Sequence, residues 1–178
     1  LEAEAVRDAV LAVSGRLNPE QFGLPIFPPL PEGLAEEVKY DDSKWATQEG
    51  AEGRKRSVYI YQQRSMTMPL MQTFDSVVCD GTRDRRQASV TPLQALAMYN
   101  GRFANEEATH FAARIRKEAG ESPATQIQLA FKTALGREPT PDESERMQAL
   151  MATSTAGSDA LAPVCRVLLN ANEFVYVE

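Results

Sequence analysis

One histidine, His110, and two cysteines, Cys79 and Cys165, are all the imidazole and thiol this chain has. That scarcity narrows the chemistry at once. Serine–histidine or cysteine–histidine catalysis would hang on His110 alone, and no nucleophile-elbow motif accompanies it. Zinc sites and covalent haem need closely spaced ligands, and the chain has no CxxC or CxxCH run. Two cysteines so far apart leave both an oxidised pair and two solitary thiols open. Long apolar runs are missing as well: none approaches the roughly 20 residues of a membrane span. No signal peptide is visible. Basic excess is absent too, and a net charge of −6 argues against a general nucleic-acid binder, which needs a positive surface. A local basic patch remains compatible with that total.

What is present is ordinary globular material. The 178 residues, 43% hydrophobic and 25% charged, suffice for one domain whose core needs neither disulfide nor metal. Leu1, Ala5, Val6, Ala9, Ala12 and Val13 form an apolar helical face that starts at the first residue with no cap before it. The natural protein is therefore expected to continue upstream, with residues 1–178 as a single domain of it. Possible sublobes are 1–78 and 79–178. The first helix should stop near Ser14-Gly15.

A proline-rich run follows, Phe22-Gly-Leu-Pro-Ile-Phe-Pro-Pro-Leu-Pro31. Fixed φ angles and missing donors make it an extended connector, packed through Phe22, Ile26, Phe27 and Leu30. Its other reading is a proline-motif ligand for a partner domain. Residues 39–56 read as a polar loop. Ser57-Val-Tyr-Ile-Tyr-Gln62 alternates, with Val58 and Ile60 on one face and Tyr59 and Tyr61 on the other, and predicts the one strand. A short helix or turn is expected over 70–74.

From Thr91 onward the pattern predicts helices. Thr91-Pro92, Ser122-Pro123 and Thr140-Pro141 each set a hydroxyl at the N-cap and proline at the first helical position. Gln94 and Glu143 complete capping-box spacings. Gly101, Gly120 and Gly136 stand where closures belong. Core stripes are expected at Leu93, Leu96 and Ala97, then at Ala104, Ala108, Phe111, Ala112 and Ile115. Further stripes are Ile127, Phe131, Ala134 and Leu135; Met147, Leu150 and Met151; and Leu161, Val164, Cys165 and Leu168. Ser154–Ser158 reads as a turn. The fold class expected is mainly α: a compact domain of about six helices with one short strand or β-ribbon.

The densest stretch runs from Cys79 to Gly101, CDGTRDRRQASVTPLQALAMYNG. Together with LEAEAVRDAVLAVSG (1–15), RSVYIYQQRSMTMPLMQTFD (56–75), ALGREPTPDE (134–143) and LLNANEFVYVE (168–178), it resembles the domain-of-unknown-function family 1553, a planctomycete cytochrome-associated domain. The resemblance implies the last part of a larger exported protein, periplasmic or at the cell surface, with a cytochrome c-like domain upstream. It implies upstream domains of the same polypeptide as partners, and it carries over no catalytic residue. Relatives have a tight Cys-Pro-Arg-Arg-like join where this chain carries Asp80-Gly-Thr-Arg-Asp84.

Three arginines, Arg83, Arg85 and Arg86, crowd ahead of a helix start whose backbone is already partly positive. Such placement is unfavourable by roughly 0.3–1 kcal/mol. Either a bound anion offsets it, held by the guanidinium groups and the free amides after Thr91, or internal acceptors do. The favoured reading is the internal clamp, to Asp75, Asp80, Asp84 or Glu173, because arginine's five donors suit a long irregular loop. Thr91 and Thr140 join these arginines as structural residues. Tyr59, Tyr61 and Arg64, with Arg85 and Arg86, form the alternative, a surface for a glycan or small anion. Glu106 and His110 share a helix face, but no further metal ligand has a recognisable spacing, so a solvated polar face is expected. No metal and no cofactor are expected. The leading function is a non-catalytic structural or interaction module, with carbohydrate or anion binding as the alternative.

Overall fold

The computed structural model describes residues 1–31, 34, 45–63, 67–77, 84–87, 89–153 and 159–176. Among them are eight α-helices: α1 (Ala3–Val13), α2 (Pro69–Thr73), α3 (Pro92–Asn100), α4 (Arg102–Ala119), α5 (Pro123–Leu135), α6 (Pro141–Ala152), α7 (Ala162–Leu169) and α8 (Asn172–Val175). Six have eight residues or more, and no sheet is present among the described residues. The protein is mainly helical. Its contacts divide into two compact units, one of residues 1, 12–15 and 95–178, the other of 2–11 and 16–94. The expected turn at Ser154–Ser158 lies outside the described residues.

In the first unit α4 is the central element. Ala104, Ala108, Phe111, Ala112 and Ile115 are buried along one side, the stripe expected from their spacing. It packs on α5 and α7, and α5 also meets α6 and α8. Small side chains on α4 let neighbouring backbones approach while Phe111 and Ile115 fill the remaining volume. Ile127, Ala130 and Phe131 answer from α5, and Leu161, Val164, Cys165 and Leu168 from α7. The apolar side of α6 is only half-buried.

The second unit is less regular. Ile26 pairs with Ile60 in an isolated parallel bridge: its amide donates to the Tyr59 carbonyl at 2.8 Å, and its carbonyl accepts from Tyr61 at 3.0 Å. A second bridge joins Asn18 to Lys55. The expected strand is corrected here, because Ser57–Tyr59 coils into a 3-10 turn. Val58 is exposed while Ile60 is buried, so the two do not share a face. The turn wins over the alternation because α1 seizes its start. Arg7 donates to the Gly53 and Lys55 carbonyls (2.6 and 3.1 Å) and to Ser57 Oγ (3.1 Å). Asp8 accepts from both the amide and the hydroxyl of Ser57 at 2.7 Å.

Several local expectations change. The buried side of α1 runs through Ala3, Val6, Arg7, Val10 and Leu11, whereas Leu1, Ala5 and Ala12 face solvent, because the larger branched side chains decide which side goes in. In the proline-rich run Ile26 and Pro28 are buried and the Pro28 carbonyl accepts from Trp45 Nε1 at 2.8 Å, so its later part packs inward while Phe22–Pro25 stay exposed. Phe22 is exposed, not packed. Gly101 does not close α3 in the left-handed region; its φ is −61°, and it starts α4. Gly136 does close α5 with φ +71°.

The proline-led starts differ in chemistry. Thr140 and Glu143 make the complete reciprocal box, Glu143 Oε2 accepting from the Thr140 amide at 2.7 Å and Thr140 Oγ1 accepting from the Glu143 amide at 3.3 Å. At Thr91 the Gln94 side chain accepts from the Thr91 amide at 3.3 Å. Ser122 occupies its N-cap without a side-chain cap bond.

Candidate functional site

The arginine stretch lies between α2 and α3, and its two ends are tied together. Asp75 takes φ +55°, and its Oδ2 accepts from the Ser89 amide at 2.7 Å and the Ser89 hydroxyl at 2.6 Å. Gln94, buried on α3, donates from Nε2 to the Thr73 carbonyl (3.1 Å) and the Ser89 carbonyl (3.0 Å). These contacts satisfy backbone groups that an irregular crossing would otherwise leave without partners.

Arg86 reaches from this crossing to α1. Its guanidinium meets Glu4 as a fork, Nη1 to Oε2 at 2.7 Å and Nη2 to Oε1 at 3.0 Å, with Glu2 at 3.3 Å. Partial burial pushes the Glu4 carboxyl upward, but the hydrogen bond and charge of Arg86 outweigh it and hold the group below its usual range. The partners are thus Glu4 of α1 and Glu2 just ahead of it rather than Asp75, which holds Ser89, or Glu173, which holds Arg137. Arg85 is exposed, and its guanidinium makes no hydrogen bond or ion pair among the described residues. Arg83, Cys79, Asp80 and Arg64 lie outside the described residues.

Tyr59 and Tyr61 sit apart from those arginines in their bonding. Tyr59 is half-buried, and its hydroxyl accepts the Phe22 amide at 2.8 Å. Tyr61 is exposed with its ring against Phe27, centroids 5.1 Å apart, and Phe27 meets Trp45 edge-on at 5.2 Å. Above this aromatic cluster's connector stands a solvent-facing tip. Phe22, at φ +68°, is 78% exposed and Leu24 is 83% exposed, with Val58 exposed on the turn. Left-handed backbone at a bulky residue costs about 1–2 kcal/mol. The Tyr59 hydroxyl helps hold it.

Sequence reasoning missed three polar centres. Arg7, buried in the apolar side of α1, could have been flagged as a cation among Val6, Val10 and Leu11. Glu107, also buried, accepts from the Ser14 hydroxyl at 2.6 Å. Arg137 makes five hydrogen bonds, two to Glu143, two to Glu173 and one to the Glu138 carbonyl. Its hydrogen bonds hold the Glu143 carboxyl down to about 2 and lower Glu173 as well. His110 is exposed, and Glu106 pairs with Arg102 at 2.6 Å. No cluster of three metal-ligating side chains occurs among the described residues. Cys165 is a free, buried thiol whose acidity burial suppresses. No described helix is long and apolar enough to cross a membrane.

The chain is mainly helical, and its arginines serve as internal ties as well as surface charge. The sequence model of the PSD1 family, proteins of unknown function (DUF1553), matches residues 1–151, and the chain belongs to that family. No curated protein and no solved structure matches the chain.

Proposed function

We propose that this chain is a non-catalytic structural and interaction module, the C-terminal part of a larger exported protein whose upstream domains, cytochrome c-like ones among them, are its partners. One observation carries the reading: the Phe22–Leu24 tip, whose two large apolar side chains are exposed. Large apolar side chains held outward on a strained backbone serve contact better than folding. The segment from Phe22 to Pro31 carries no charge, so the surface it meets need not supply any. Co-expression of this chain with the remainder of its natural polypeptide tests the proposal. The two pieces should co-purify, and Phe22→Ser with Leu24→Ser should separate them without loss of helical signal. Turnover of a substrate by this chain alone would overturn it.

Carbohydrate or anion binding is the second reading, supported by the exposed Arg85 and Tyr61. Arg86 supports it less, being occupied by Glu4 and Glu2. Binding to sulfated or neutral glycans on an array, lost in Arg85→Ala, would favour it. An array with no binding would remove it.

A further inference from the structure

Five asparagines occur in the chain, and one of them, Asn100, precedes a glycine. In that pair an asparagine side chain cyclises most readily, because glycine has no Cβ to shield the attacking main-chain nitrogen. The other four are followed by proline, glutamate or alanine. Position 101 has little choice of residue: a Cβ there would collide with the Ala97 carbonyl oxygen. The passage from α3 into α4 thus imposes the vulnerable pair.

The same oxygen also guards it. The Gly101 amide donates to the Ala97 carbonyl at 2.9 Å, so the nitrogen that would attack is engaged. Asn100 is the last residue of α3, and helical ψ turns the Gly101 nitrogen out of the plane that a five-membered ring requires. Asn105 adds a tie from α4. Its Nδ2 donates to the Gly101 carbonyl at 3.0 Å and to the Tyr99 carbonyl at 3.3 Å. Asn100 itself is exposed, within reach of water.

We propose that Asn100 is a deamidation site gated by the α3–α4 junction, closed while the Gly101 amide stays bonded to Ala97 and open when that turn frays. In the open form the Gly101 nitrogen gives its proton to solvent base and attacks Asn100 Cγ. The new carbon–nitrogen bond closes a succinimide, and the side-chain nitrogen leaves as ammonia. Water then opens the ring at either carbonyl, leaving an aspartyl or an isoaspartyl residue at position 100. The isoaspartyl form adds a carbon to the main chain where Ala97 leaves no room for one, so the junction cannot close as before. The inference rests on this turn alone and is independent of the Phe22–Leu24 tip.

The test holds the purified chain in mildly alkaline buffer, folded in one arm and in guanidinium chloride in the other. Trypsin cleavage after Arg86 and Arg102 isolates residues 87–102 for mass spectrometry. The unfolded chain should exchange the Asn100 side-chain nitrogen for oxygen at roughly ten times the folded rate or faster. Its aspartyl and isoaspartyl peptides should separate on chromatography. Asn105→Ala should raise the folded rate severalfold and leave the unfolded rate as it was, with helical ellipticity retained. Chains carrying the isoaspartyl residue should melt lower than unmodified chains after the denaturant is removed. Folded and unfolded chains that deamidate alike overturn the proposal, since the junction then guards nothing. So does a chain that stays unmodified even in denaturant, or an Asn105→Ala chain that keeps both its helices and the parent's folded rate.

Discussion

Arg137 and Glu143 meet as two forks, Nη1 to Oε2 at 2.9 Å and Nη2 to Oε1 at 2.7 Å, while the same carboxylate caps the start of α6. One side chain thus joins the end of α5 to the beginning of α6, and through Glu173 to α8. Arg137→Met should lower stability by about 1 kcal/mol, the scale of a cap combined with a half-exposed ion pair. Urea denaturation followed by helical ellipticity would measure it. An unchanged midpoint would mean that water replaces the fork at no cost.

The same pair sets a response to acid. Glu143 titrates at about 2 in the folded chain against an ordinary 4.5. Its folded value is depressed, so its contribution is complete above the ordinary value and fades as pH falls from 4.5 toward 2. Glu4 and Glu173 shift in the same direction. Glu143→Gln should therefore be less stable than the parent at neutral pH and converge with it at the acid end. Parallel melting curves across that interval would reveal a constant gap if the carboxylate charge were irrelevant.

Arg7 should prove harder to replace. It is buried and supplies three acceptors spread over Gly53, Lys55 and Ser57. Arg7→Met leaves those groups without their donor and should cost about 3 kcal/mol, as breaking a buried charged contact does. Arg7→Lys should recover only part of this, because an ammonium lacks the planar fork. Equal stability of the lysine variant and the parent would contradict the geometry.

Gly101→Ala tests the junction of α3 and α4. A Cβ there would stand 2.2 Å from the Ala97 carbonyl oxygen. Backbone cannot yield as a side-chain tip can, so the substitution should cost about 2 kcal/mol, in the range of overpacking. Differential scanning calorimetry should register a lower transition, and an unaltered one would show the junction to be pliable.

How much of this was legible depended on whether a helix has a polar side to mark its outside. On α4, Arg102, Glu106 and His110 lie opposite Ala104, Ala108 and Phe111, and the contrast names the core. On α3 no charge breaks the pattern, so Leu93 and Leu96 looked like core, while Gln94 and Met98 are the residues inside. Gln94 goes in because its amide satisfies the Thr73 and Ser89 carbonyls, a need that arises elsewhere in the chain. The alternation at 57–62 suggested a strand, but tertiary bonds from Arg7 and Asp8 coil its start. Arg86 finds Glu4 and Arg137 finds Glu173 across sequence separations that no local pattern encodes.

The bond of Asp75 to Ser89 has a consequence for kinship among such chains. Because the two ends of the crossing are pinned to each other, the span between them can lengthen with little penalty, about 0.6 kcal/mol per doubling. Relatives that keep the Asp75–Ser89 pair can therefore differ in the number of residues between its members and still bring the end of α2 to the approach of α3.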